Sequence, residues 1–243
     1  MQPAIEIVDS KEQLTAVAAS LVRAAAAEAI AARGAFFVAL SGGSTPRPVY
    51  RALADDPDVD WARWSLFWGD ERCVPPEHPD SNYRMVKEEV LDRRGARGAP
   101  QPAVVARLLG ELDPERAARE YEDALRALVP APGALPAFDL VLLGMGGDGH
   151  TASLFPGTAA LHEQERLVVA NRVPQLGATR LTVTFPLINA ARRVLFLVSG
   201  ADKAAAFQAV HHGPRDLERW PSQGVHPASG KVTWLVDAAA GLS

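Results

Sequence analysis

Short, dense apolar runs alternate along the chain with longer segments whose apolar positions recur at helical spacing. Residues 36–40 (FFVAL) and 64–68 (WSLFW) read as buried strands, and residues 138–143 as another. Further strands are predicted at 103–106, 166–170, 181–185, 194–198 and 232–236. The first predicted helix covers about 10–33, opened by Ser10 with Gln13 at capping-box spacing and stopped by Gly34. Thr45-Pro46 reads as a cap and first-turn proline leading a helix through residue 54. Others start near Asp80 or Ser81, run from Asp113-Pro114-Glu115 to about residue 129, and occupy 186–191 and 202–212. Strands alternating with helices predict a doubly wound, Rossmann-like α/β fold with a mainly parallel sheet and helices on both faces. With no internal repeat and no long linker, one domain over residues 1–243 is expected.

Composition narrows the function. The 243 residues are 48% apolar and 22% charged, ordinary for a globular protein. A net charge of −4 argues against nucleic-acid binding, which needs a cationic face, but leaves room for a small phosphate ligand held by a few local cations. The single cysteine, Cys73, excludes an internal disulfide and has no partner pattern around it, so it reads as a reduced thiol in a cytoplasmic protein. The opening MQPAIEIVDS has acids where a secretory signal needs basic residues, so no signal peptide is expected. Arg23 and Glu28 interrupt the Ala-rich segment 15–32, which reads as an amphipathic helix and not a membrane span.

In a parallel sheet, ligands bind where loops leave the carboxyl ends of strands, and four such loops carry unusual chemistry. Ser41-Gly42-Gly43-Ser44-Thr45-Pro46 joins a strand to a helix, so its amides and hydroxyls can meet an anion. It lacks the Gly-Lys-Ser/Thr ending of a Walker loop, and an ordinary tight turn stays open as its reading. Asp70, Glu71 and Arg72 follow the second strand. A solvated loop or an internal ion pair competes there with Arg72 as a phosphate or carboxylate fork. His78 in the same loop is read as structural.

Residues 144–157 (GMGGDGHTASLFPG) place Asp148 and His150 in a glycine-rich loop after a buried strand. An ordinary imidazole titrates near about 6.5 and is largely free to take a proton at neutral pH, so His150 is read as catalytic. The fourth loop carries Lys203 near a helix entrance, where a phosphate contact and a solvated lysine are both open. Arg180 is a further candidate to face the site. His211-His212 is rejected as a metal site, because adjacent helical residues point in different directions.

Together the segments SGGSTP, GDERCVPPEHPDSNY, GMGGDGHTASLFPG, RLTVTFPLIN and LVSGADKA resemble the 6-phosphogluconolactonase family in content and order. The resemblance implies a fold like that of glucosamine-6-phosphate deaminases and ribose-5-phosphate isomerases. It implies metal-free hydrolysis of 6-phospho-D-glucono-1,5-lactone in the oxidative pentose phosphate pathway, with no cofactor. It casts His150 as general base beside Asp148, and Ser44, Arg72 and Lys203 as ligand contacts; Ser41, Gly42, Gly43, Thr45, Gly147 and Arg180 complete the expected binding set. Backbone amides of the Gly146-Gly147 region are the expected oxyanion donors. The expected partner is a small sugar-phosphate lactone, with no nucleic acid or membrane, in a monomer or small homo-oligomer. A deaminase remains the nearest rival, but its pattern carries an acid before Pro-Gly where this chain has Phe155-Pro156-Gly157. A sugar-phosphate sensor domain is a second rival, although no helix-turn-helix segment is visible.

Overall fold

The computed structural model describes residues 3–241. Its main sheet has seven strands, all parallel. They are β1 (Ala4–Val8), β2 (Phe36–Leu40), β3 (Trp64–Trp68), β5 (Val104–Val105), β6 (Leu140–Gly144), β9 (Arg193–Val198) and β10 (Lys231–Asp237), in the spatial order β1-β10-β9-β6-β2-β3-β5. A second sheet of three antiparallel strands joins β4 (Asp70–Arg72), β7 (Val168–Val173) and β8 (Ala178–Val183) in the order β4-β8-β7. The α/β class and the mainly parallel sheet agree with the sequence reading. The second sheet departs from it, because two segments read as further strands of the alternating pattern pair instead with a charged tripeptide read as loop.

The helices are α1 (Lys11–Arg33), α2 (Arg47–Asp55), α3 (Asn82–Val86), α4 (Arg93–Gly95), α5 (Pro114–Leu128), α6 (Phe185–Asn189), α7 (Ala204–His212) and α8 (Ala238–Gly241). A π-helical stretch at Lys87–Asp92 joins α3 to α4. Ser10 caps α1 through the Gln13 amide at 3.2 Å, while the Gln13 side chain reaches back to the amide of Asp9 at 2.8 Å, one residue beyond the expected capping box. By length and apolar composition α1 would suffice to cross a bilayer. Its stripe of Leu14, Ala18, Val22, Ala25, Ala26 and Ala29 is nonetheless buried in the protein core. Thr45 is not the cap of α2: Pro46 holds that position without a side-chain bond.

Strand β1 has no counterpart among the predicted elements. It is an edge strand paired only with β10, and four of its five residues are exposed, so burial leaves no strong mark on its sequence. The sheet centre is packed with aromatics: Phe196 stacks on Trp234 with ring centroids 3.6 Å apart, and Phe36 meets Trp64 edge-on at 4.7 Å. Strands β2 and β6 lie side by side, and from them the chain moves away in opposite directions, to β3 and to β9. Loops leaving such neighbours diverge and open a crevice above the strand ends.

Candidate active site

A cavity of about 400 Å³ fills that crevice. Ser41, Gly42, Gly43, Ser44 and Thr45 line it from β2, Met145, Gly146 and His150 from β6, and Ser199 and Lys203 from β9. The second sheet closes it with Asp70, Arg72 and Arg180. Nine of the eleven residues expected from sequence therefore share one cavity. Gly147 and Asp148 are not among its lining residues, but Asp148 reaches it through His150.

The first loop is held by a tyrosine. The hydroxyl of Tyr50, on α2, accepts from the Ser41 amide at 3.0 Å and donates to the Ser41 carbonyl at 2.8 Å, satisfying both backbone groups where β2 ends. Burial drives the Tyr50 phenol far above its ordinary range, so it stays protonated. Beyond Ser41 the amides of Gly42, Gly43 and Ser44 have no partner among the described residues and are free for an anion. Residue 42 has no space for a side chain, since a Cβ there would lie 1.8 Å from Oδ1 of Asn82.

Asp70, Glu71 and Arg72 form neither a solvated loop nor an ion pair among themselves. They are the strand β4, and the two acids are buried. Glu71 accepts the amides of Arg72, Asn82 and Tyr83 at 2.7–2.8 Å and the Ser81 hydroxyl at 3.1 Å, fastening the start of α3 beneath the cavity. Desolvation raises its pKa, opposed by those backbone bonds. Asp70 accepts from Ser153 Oγ at 2.7 Å and Asn82 Nδ2 at 3.2 Å. Arg72 donates to the Asp80 carbonyl and stands directly across the ladder from Arg180. Like charges directly opposite each other destabilise a sheet, which makes this pair costly without an anion beside it. Lys203 is paired with Asp202 at 2.7 Å.

On the facing loop, Nδ1 of His150 lies 2.6 Å from Oδ1 of Asp148, which also accepts the His150 amide at 3.1 Å. Burial tends to raise the Asp148 pKa, but the hydrogen bond and charge of His150 outweigh it and hold the carboxyl below its ordinary value. In its neutral form, an imidazole facing a carboxylate through Nδ1 carries its proton there and leaves a lone pair on Nε2. Phe155 stacks on the imidazole, centroids 4.0 Å apart. A Cβ on residue 146 would lie 2.1 Å from His150 Nδ1 and 2.5 Å from Asp148 Oδ1, so glycine there makes room for the pair. The Gly146 amide donates to the His150 carbonyl at 2.9 Å and is therefore not the free oxyanion donor expected from sequence.

Three features escaped the sequence reading. Asp70 was visible but its burial was not. Ser153 and Ser199 lie inside the quoted segments, but the pattern there gives them no role. Ala152, which lines the cavity, adopts φ 47°, a left-handed conformation costly for a residue with a Cβ. Among the described residues, no three His, Cys, Asp or Glu side chains converge as a metal-binding group.

Residues 9–234 match the family model described as glucosamine-6-phosphate isomerases/6-phosphogluconolactonase. A 6-phosphogluconolactonase of Synechocystis is 42% identical over 99% of this chain and 98% of its own length. A chloroplastic 6-phosphogluconolactonase of Arabidopsis thaliana is 36% identical over 97% of this chain and 74% of its own. The structure of 6-phosphogluconolactonase from Trypanosoma brucei superposes with a TM-score of 0.86 at 27% identity, covering 98% of this chain and 97% of that one. A monomeric glucosamine-6-phosphate deaminase, at 22% identity and TM-score 0.78 over 98% of each chain, shares the fold. Ordered motifs, cavity and full-length likeness agree: the chain belongs to the glucosamine-6-phosphate isomerase/6-phosphogluconolactonase family, and within it to the 6-phosphogluconolactonase enzymes.

Proposed function

We propose that the chain hydrolyses 6-phospho-D-glucono-1,5-lactone to 6-phospho-D-gluconate in the oxidative pentose phosphate pathway, without metal or cofactor. It acts in the cytoplasm as one domain over residues 1–243, as a monomer or small homo-oligomer. The observation that carries this reading is the His150–Asp148 pair opening onto the same cavity as three cations and a row of free amides.

The phosphate is held by the Gly42, Gly43 and Ser44 amides, the Ser44 and Thr45 hydroxyls, Arg72, Arg180 and Lys203. A lactone is an activated ester, so no covalent intermediate is needed. Nε2 of His150 takes a proton from water as the water oxygen attacks carbon 1, while Asp148 stabilises the imidazolium that forms. The tetrahedral intermediate collapses, the bond from carbon 1 to the ring oxygen breaks, and His150 returns its proton to that oxygen as it becomes the 5-hydroxyl. The carboxylic acid formed then loses its proton to solvent.

The deaminase reading is disfavoured by the Phe155 ring stacked on His150, because phenylalanine has no proton to shuttle where ring opening needs an acid. Acid production from freshly generated lactone, measured against spontaneous opening, tests the proposal. Ammonia release from glucosamine 6-phosphate without lactone turnover would replace it with a deaminase. Tight 6-phosphogluconate binding with no turnover would replace it with a sensor.

A further inference from the structure

We propose that Ser199 is the acceptor for one hydroxyl of the sugar, and that Asp237, a residue outside the cavity, fixes it in that role. The inference rests on the lactonase reading and adds to it a residue that reads the sugar itself and not its phosphate.

Ser199 follows β9 directly and lines the cavity. Its hydroxyl donates to Asp237, the last residue of the neighbouring strand β10. Asp237 is 5% exposed, and among the described residues it has no cationic partner. Its carboxylate also accepts the Gly200 amide at 3.1 Å and the Ala240 amide at 3.0 Å, which holds it in place. A serine hydroxyl has one proton and two acceptor positions. With the proton committed to a buried carboxylate, only lone pairs remain for the cavity.

That polarity selects the ligand group. A phosphate or carbonyl oxygen presents lone pairs and is repelled, whereas an alcohol presents a proton. Ser44 and Thr45 line the same cavity, and among the described residues their hydroxyls have no hydrogen-bond partner, so they can turn their protons toward an anion. The Ser44 and Thr45 hydroxyls thus offer donors to the phosphate, while Ser199 offers an acceptor to a sugar hydroxyl. Asp237 is a positioning residue: an asparagine there keeps an acceptor for the two amides but presents an N–H to Ser199, freeing the hydroxyl proton to point into the cavity.

Lys203 needs separating from this effect, because its amide donates to the Gly200 carbonyl at 3.0 Å in the turn that Asp237 holds. The test is a cycle of Ser199→Ala, Asp237→Asn and the double variant, assayed on 6-phosphogluconolactone and on its 2-, 3- and 4-deoxy analogues. Each single variant should raise KM roughly three- to ten-fold, the range for one neutral hydrogen bond, with kcat within about two-fold. The double variant should be no weaker than Ser199→Ala. The unmodified chain should lose a similar factor on one deoxy lactone, on which Ser199→Ala loses nothing further. An unchanged KM for Ser199→Ala on every lactone overturns the proposal. So does an undiminished effect of Asp237→Asn in the Ser199→Ala background, which would mean that Asp237 acts through Lys203. If Asp237→Asn does not fold, Ser199→Ala with the deoxy series still decides the matter. Absence of turnover in the unmodified chain would count against the lactonase reading alone; the same cycle read by calorimetric binding of 6-phosphogluconate would still test Ser199.

Discussion

His150 gains its chemical character from two neighbours within reach of local sequence. Asp148 holds Nδ1, and the missing side chain of residue 146 keeps the pair together. In the proposed mechanism, His150→Asn removes the base but not the anion contacts. It should lower kcat by about 100- to 10,000-fold while leaving calorimetric affinity for 6-phosphogluconate within a few-fold. Unchanged turnover would remove His150 from the mechanism. The i, i+2 spacing of these two residues allowed a contact without requiring one. Asp70 and Glu71 were harder to read, because their surroundings come from residues 81–83 and 153. A charge followed by charges looks solvated until the donors that bury it are known.

Among the elements, α2 and α7 carry consequences that propensity alone would miss. Tyr50→Phe keeps the packing of α2 but strands the amide and carbonyl of Ser41. It should cost about 1–3 kcal/mol in urea unfolding, and it should loosen the anion loop enough to raise KM. At the end of α7, His211 packs against Phe207 and Trp234, and its Nε2 is buried without a partner among the described residues. Burial, with a smaller contribution from the charge of His212, lowers its pKa to about 4. The unfolded chain therefore binds a proton near pH 6.5 that the folded chain refuses until about pH 4. Stability falls as pH drops through that window, on the order of 1–2 kcal/mol between pH 7 and pH 5. Replacing His211 with Phe should flatten this part of the profile in denaturant titrations at the two pH values.

For the molecule as a whole, a chain of net charge −4 gathers Arg72, Arg180 and Lys203 around one cavity, where Asp70 is the only lining acid among the described residues. On the proposed reading, part of the binding energy for the substrate is held in the free protein as repulsion between Arg72 and Arg180. Arg180→Gln should raise folding stability by a few tenths of a kcal/mol, by relieving the pair with Arg72, while raising KM several-fold. Raising ionic strength should increase KM with little change in kcat, since salt screens the anion contacts but not the proton transfer. Parallel changes in KM and kcat with salt would place the charges elsewhere in the reaction. The alternation of buried strands and helices is legible in the residues alone, because burial on both faces and helical periodicity are written locally. So are the glycine loops at the strand ends, because backbone freedom and anion chemistry are properties of the residues there. Long-range packing alone sets the edge strand β1, the antiparallel sheet that brings Arg72 opposite Arg180, and the carboxylates that seat Ser153 and Ser199. Their partners lie between 38 and 229 residues away, as in Ser199 to Asp237 and Ala4 to Thr233, and no local period records a pairing made across that distance.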